Sequence, residues 1–265
     1  MKKIREKYGP WALITGASAG IGKAFAERLA EEGLNLVLAA RRKKELLEQK
    51  KLLEKKYSIE VCVVPVDLTA AKAVSGLLKK IGKREVGLLI NNAGFGLNRM
   101  FAETDPAIDE TMITLNCQVP VALTHLIVPQ MIKRKKGGII NLSSIAANQA
   151  TPANCVYAAT KVFDLFFSEA LAFELKPFHI DVLAVLPGAT ATEFQQIAGY
   201  EVEKGLRRPE DVVNSALRTL GKRLSVTDGA VNKIMTFFAR RILPRKWAAS
   251  AAYAYTRAHA PKDAE

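Results

Sequence analysis

Cysteine and histidine are both scarce, with three of each in 265 residues. Cys62, Cys117 and Cys155 are scattered, odd in number and without C-x-x-C spacing, so neither a disulfide framework nor a cysteine-based zinc site is expected. His125, His179 and His259 share no metal-ligand spacing, and no metal is expected. No run reaches the roughly 18 apolar residues a membrane-spanning helix needs. The basic opening MKKIREKYGPW is not followed by a hydrophobic segment with a cleavage site, because the apolar run from Trp11 breaks at Gly16. The expectation is a soluble cytoplasmic protein. No linker or repeat divides the chain, and its length suits one large α/β domain.

Acidic residues are outnumbered 39 to 26, for a net charge of +13. Such a balance invites a nucleic-acid or anionic-membrane partner. Much of it, however, lies on helix faces where lysine and arginine alternate with glutamate, as in RRKKELLEQKKLLEKK from Arg41 to Lys56. No nucleic-acid motif accompanies it, and no nucleic-acid partner is expected.

Six short apolar runs are present: Trp11 to Thr15, Leu34 to Ala40, Val61 to Val66, Val86 to Ile90, Gly138 to Leu142 and Ile180 to Leu186. Helix-like segments alternate with them, and glycine-rich or polar loops follow them. The expected fold class is therefore α/β, a doubly wound parallel sheet with its site along the carboxyl edge of the strands. After the first run comes TGASAGIG, Thr15 to Gly22, and then a helical KAFAERLAEEG. Strand, glycine turn and helix in that order make a phosphate site, since glycine admits close backbone approach and the helix start offers free amides.

The second run ends without an Asp or Glu to accept from a ribose 2′-hydroxyl; Arg41 and Arg42 follow instead. A guanidinium there suits a 2′-phosphate, which points to NADP(H), with Arg41 the first candidate and the start of a basic helix the plainer alternative. Asp67 and Leu68 close the third run, where an adenine amino group would find an acceptor. NNAG, Asn91 to Gly94, follows the fourth; Asn91 suits a tie between neighbouring strands and the small-residue turn a close pass by the cofactor. Asp105 to Arg134 reads as a long helical pattern interrupted by Pro120 and Pro129, with Asn116 near its middle.

From Asn141 to Lys161 runs NLSSIAANQATPANCVYAATK. Tyr157 and Lys161 are four apart, so on a helix both side chains leave one face. A tyrosine with a pKa of about 10 is a poor acid or base near neutrality. A nearby ammonium, joined by a cationic nicotinamide, favours the phenolate and brings the group toward the working range. Ser144, thirteen residues before Tyr157, is the serine better placed to donate to the same carbonyl oxygen.

These motifs, in this order and spacing, resemble the short-chain dehydrogenase/reductase family over roughly Trp11 to Leu220. The resemblance implies a Rossmann fold and a carbonyl–alcohol oxidoreductase. Tyr157 would be general acid or base, Ser144 would polarise the carbonyl, Lys161 would hold the nicotinamide ribose, and Asn116 would hold a water joining Lys161 to a proton relay. It also implies cofactor contacts from Gly16, Ser18, Ala19, Ile21, Asp67, Leu68, Asn92 and Gly94 on the adenosine and ribose half. Pro187, Gly188, Thr190 and Thr192, within PGATATEF, would meet the nicotinamide side.

Residues 1–228 are thus expected to form the dinucleotide-binding and catalytic domain, and residues 229–265 a helical C-terminal extension packed on it. That tail departs from the common family pattern, in which a seventh strand is followed by a glycine-rich end; only SVTDG, Ser225 to Gly229, resembles it. The tail reads as helix, proline break, helix, and it combines Val231, Ile234, Met235, Phe237, Phe238, Ile242 and Leu243 with Arg240, Arg241, Arg245 and Lys246. It either covers the sheet or substrate pocket, or lies as a basic amphipathic helix on an anionic membrane.

The helix after Tyr157 is apolar over a broad face (Val162, Phe163, Leu165, Phe166, Phe167, Leu171), which suggests a homodimer or homotetramer. Between Pro187 and Pro209, Phe194, Ile197, Ala198 and Tyr200 precede Lys204, Arg207 and Arg208. That pattern suits a hydrophobic carbonyl compound, such as an acyl chain on a phosphate-bearing carrier. The reading is an NADPH-dependent reductase of a 3-oxoacyl-like or steroid-like ketone or aldehyde; the alternative is a catalytically silent NADP(H)-binding sensor or scaffold.

Overall fold

The computed structural model describes residues 3–200 and 205–259. Seven parallel strands form one sheet in the order β3-β2-β1-β4-β5-β6-β7. They are β1 (Trp11–Thr15), β2 (Asn35–Ala40), β3 (Val61–Pro65), β4 (Val86–Asn91), β5 (Gly137–Leu142), β6 (Ile180–Leu186) and β7 (Ser225–Thr227). The six expected strands recur within a residue at each end. The seventh is a short edge strand in register with Ala184 to Leu186 of β6.

The strands are apolar on both faces because helices cover both. Ala12 and Ile14 point with Phe25 and Leu29 of α2 (Gly20–Glu31), Leu46 of α3 (Lys43–Tyr57) and Val212 of α9 (Pro209–Thr219). Trp11 and Leu13 point the other way. They meet Leu77 of α4 (Ala73–Ile81), Leu123, Ile127 and Met131 of α6 (Val119–Arg134) and Leu175 of α7 (Cys155–Leu175). The strand order reverses between β1 and β4, which opens a crevice beyond their carboxyl ends.

Pro120 and Pro129 do not interrupt the segment before β5, contrary to the sequence reading. A single helix of 29 residues runs from Pro106 to Arg134, through α5 (Pro106–Ile113), a π turn at Thr114–Gln118 and α6. The π turn resets the bonding register, so Pro120 falls in the first turn of α6, where its missing N–H costs little. In length and mean hydropathy this helix would cross a bilayer, but Leu123, Ile127 and Met131 are spent on the sheet. The opening residues also gain a role the sequence reading missed. Lys3–Tyr8 form a helix, α1, whose Tyr8 is buried and donates to Asp181 Oδ2 at 2.7 Å.

Candidate active site

The crevice at the strand ends opens into a cavity of about 1240 Å³. Pockets for a single small ligand commonly occupy ~300–1,000 Å³, so this one has room for a dinucleotide and a second molecule together. Gly16, Ser18, Ala19, Ile21, Asn92, Gly94, Ser144, Tyr157, Lys161, Pro187, Gly188, Thr190 and Thr192 all line it. Arg41, Asp67, Leu68 and Asn116 do not.

The glycine turn has the form a pyrophosphate needs. Gly16 has φ +64°, and a Cβ there would stand 2.8 Å from Asn92 Nδ2 and 3.0 Å from Ala93 Cα. Ala19 precedes α2 with no side-chain cap, leaving first-turn amides for a ligand. Gln49 Nε2 donates to Ala17 O at 2.8 Å and Asn92 Nδ2 donates to Thr15 O at 2.9 Å, so the turn is braced from outside and below. These free amides and the glycine cradle fit a dinucleotide.

Arg42, rather than Arg41, borders the cavity. Its Nε donates to Ser18 Oγ at 3.2 Å and its guanidinium pairs with Glu193 at 2.9 Å. Arg41 is exposed and acts on Asp67, whose carboxyl lies below its ordinary range chiefly through bonds from the Thr69 hydroxyl and amide. Leu68 is 6% exposed and packed in the core beneath. Asn91, as expected, ties strands together: its Nδ2 donates to Asn141 Oδ1 at 2.8 Å across β4 and β5.

The first two turns of α7 carry Tyr157 and Lys161 to the cavity floor, beside Ser144 at the end of β5. All three are buried. Burial pushes the Tyr157 phenol above its ordinary range, while the Lys161 ammonium and the Ser144 hydroxyl draw it back. In the protein alone burial prevails, so the phenol is the resting form. The Lys161 ammonium donates to Leu142 O and to Asp164 Oδ2, both at 2.8 Å. Asp164, one turn further along the same face of α7, was not singled out in the sequence, although its spacing from Lys161 is the available signal.

Asn116 lies in the π turn, 1% exposed. Its Nδ2 donates to Phe95 O and to Thr160 Oγ1, each at 3.0 Å, and its Oδ1 accepts from Phe95 N–H at 3.2 Å. A Cβ on Gly94 would stand 2.9 Å from Asn116 Oδ1 and 3.6 Å from Lys161 Nζ, so glycine lets these groups gather. The side-chain donors of Asn116 are thus used within the protein, leaving its main chain and one lone pair for any water.

Above the floor, α8 (Phe194–Ile197) sets Phe194 against Tyr157 with ring centroids 5.5 Å apart. The Tyr200 hydroxyl accepts from Asn154. The expected cations are otherwise engaged: Arg207 pairs with buried Asp228 at 2.8 Å and Arg208 with Asp211 at 3.1 Å. Lys204 lies outside the described residues. Arg207 keeps its place in the cavity lining with its side chain part-exposed, whereas Arg208 lies outside that lining. Cys155 lines a separate small recess with Leu97 and Met112.

The tail completes the walls. α10 (Ala230–Arg241) contributes Val231, Ile234, Met235 and Phe238, and α11 (Arg245–Ala258) contributes Ala251 and Tyr255. Thr256 anchors α11, its hydroxyl donating to Pro152 O at 3.0 Å and its carbonyl accepting from Asn98 Nδ2 at 3.2 Å.

A doubly wound sheet with a glycine-cradled helix start and a buried Ser–Tyr–Lys set at one edge defines a dinucleotide-dependent oxidoreductase. Residues 10–201 match the short chain dehydrogenase family, and the chain belongs to it. It is 34% identical over 247 residues, 91% of this chain and 78% of the relative, to the very-long-chain 3-oxoacyl-CoA reductase of Rattus norvegicus. A solved structure described for 7beta-hydroxysteroid dehydrogenase stereoselectivity superposes with a TM-score of 0.88 at 28% identity, covering 94% of this chain and 98% of that one. A short-chain dehydrogenase from Sphingobium yanoikuyae in complex with NADPH gives 0.78 at 34% identity, covering 83% and 87%.

Proposed function

We propose that the protein reduces a bulky, hydrophobic ketone or aldehyde to an alcohol with NADPH. The observation that carries this reading is the convergence, in one cavity, of the glycine turn, Ser144, Tyr157, Lys161 and the apolar wall from Phe194 and α10. A bound reduced nicotinamide would supply the hydride. Tyr157 supplies the proton, and its burial keeps the phenol protonated, the state a general acid needs. Ser144 donates to the substrate oxygen, and Lys161 draws Tyr157 toward release of its proton. Asn116 braces the loop that begins at Phe95, and any water it holds is held by its main chain or the remaining lone pair of Oδ1. Arg42, with Arg41 beside it, receives the 2′-phosphate. The names of the relatives support a keto substrate, the NADPH complex of the Sphingobium yanoikuyae protein supports the cofactor, and the apolar wall supports a bulky substrate.

The tail divides into two parts. Val231, Ile234, Met235, Phe238 and Leu243 face the cavity and are assigned to substrate, whereas Phe237, Ile242 and Trp247 lie outside its lining and are exposed. Arg240, Arg241, Arg245 and Lys246 surround that outer set, and residues 229–259 contain no acidic residue. Apolar side chains, a tryptophan and cations together suit an anionic membrane surface. Sedimentation with anionic vesicles tests this: binding that survives Phe237→Ser/Trp247→Ser refutes it. Exposed Phe163, Phe166 and Phe173 on α7 are assigned to a homodimer face, tested by light scattering.

NADPH oxidation across 3-oxoacyl thioesters, steroids, aromatic ketones and aldehydes tests the activity. Turnover on bulky ketones is expected. Tight NADPH binding with no turnover on any of them would favour the silent binding protein.

A further inference from the structure

We propose that Asp164 is a positioning residue of the acid–base set, its carboxylate holding the Lys161 ammonium against the Leu142 carbonyl and balancing its charge. This rests on the reading of Tyr157 as the proton donor.

Asp164 is 2% exposed, on the cavity-facing helix α7 but behind Lys161. Burial holds the Asp164 carboxyl above its ordinary range, and the Lys161 ammonium at 2.8 Å opposes this by favouring the carboxylate. Its own backbone is also held: Ser168 Oγ donates to Asp164 O at 2.5 Å, Asn141 Nδ2 to Ser168 Oγ at 2.8 Å, and Asn91 Nδ2 to Asn141 Oδ1 at 2.8 Å. The chain of bonds crosses from β4 through β5 to α7, so Asp164 is fixed to the sheet. Asp164 Oδ1 has no hydrogen-bond partner among the described residues. One N–H of the three on Lys161 remains for the cofactor side, the other two being spent on Leu142 and Asp164.

Charge balance follows from this arrangement. A bare ammonium beside a phenol favours the phenolate, and a carboxylate behind the ammonium opposes that effect. Around Tyr157 the other groups that bear on it are Ser144 from the strand end and Tyr200 from the segment after α8, with Tyr255 of α11 next to Tyr200. Facing Asp164 and Lys161 from the π turn is the Cys117 thiol, pushed up to about 11 by burial and by Asp164, and so uncharged near neutrality. Asp164 is the one carboxylate among them. The site is thereby biased toward giving a proton to a carbonyl oxygen and away from taking one from an alcohol.

Asp164→Asn keeps the shape and an acceptor for Lys161 but removes the charge. In that variant the loss of reductase kcat/KM at high pH is expected to move down by about one pH unit, with NADPH affinity changing far less. A profile that coincides with the wild type, or moves up, overturns the proposal. The ultraviolet titration of the Tyr157 phenol, taken as the difference from Tyr157→Phe, reads the same shift without any turnover. A protein that reduces nothing but still shows the downward titration refutes the reductase reading and leaves this proposal standing. Should Asp164→Asn fail to fold, Lys161→Met/Asp164→Leu replaces it. It is compared with Lys161→Met alone: without the Asp164 charge the phenol is expected to titrate lower by about one unit, and coincidence of the two variants overturns the proposal.

Discussion

Two groups made of the same residue types sit at opposite ends of the sheet. At the amino end, Tyr8 donates to Asp181 Oδ2 at 2.7 Å, and Lys7 meets the same oxygen at 2.7 Å from a largely exposed position. At the carboxyl end are Tyr157, Lys161 and Asp164. The difference is where the carboxylate stands. Asp181 accepts directly from the phenol, so burial and its charge together raise Tyr8 far above the ordinary phenol range, and the proton is locked in a staple between α1 and β6. Asp164 instead stands behind the lysine, so no carboxylate takes the Tyr157 hydrogen, and the phenol faces an open cavity. An identical set of side chains makes a clamp in one order and an acid–base device in the other.

The largest break in this comparison comes from Lys161→Met. It strands the Asp164 carboxylate, so denaturant unfolding should show a loss of about 3–5 kcal/mol, and reductase turnover should fall by roughly 10²–10⁴-fold. Adding Asp164→Leu should return most of the stability, because an apolar pair of similar volume replaces a buried ion pair, but none of the turnover. Arg42→Ala leaves both ends of the sheet intact and should raise the NADPH dissociation constant by about 10–100-fold while moving that of NADH little, as measured by fluorescence titration. Equal changes for the two cofactors would refute the 2′-phosphate assignment; the same measurement on Arg41→Ala ranks the two arginines.

At the amino end, Tyr8→Phe should cost about 1.5–3 kcal/mol, the value of a hydrogen bond to a charged group, with turnover retained. The same residue carries a pH dependence. Its folded value lies above that of the unfolded chain, so the unfolded chain gives up its proton first and stability falls as pH climbs past about 10. Tyr8→Phe should flatten that alkaline decline, read from unfolding midpoints between neutral and alkaline pH.

The central strands and the glycine turn were legible because local pattern sets them: apolar runs bounded by turn residues, and a helix start that needs close backbone approach. The Tyr157–Lys161 pair was legible from helical spacing alone. What escaped notice depends on distant partners. Nothing near Tyr8 announces Asp181, 173 residues away, and the opening helix follows from that pairing. Pro120 read as a break because a π turn, which depends on Asn116 bonding to Phe95 and Thr160, leaves no mark in the local pattern. Nothing near Arg207 announces Asp228, 21 residues on, whereas the Arg208–Asp211 pair is local, three residues apart at the start of α9. At the second strand's end the neighbouring arginines are indistinguishable in sequence, and only the start of α3 decides which one turns toward Ser18.

The most direct measurement is NADPH-dependent ketone reduction by Tyr157→Phe and Tyr8→Phe side by side. The account predicts that Tyr157→Phe keeps its NADPH affinity and loses turnover by about 10³-fold, while Tyr8→Phe stays within about threefold of wild type. Comparable loss in both, or substantial turnover in Tyr157→Phe, would contradict it.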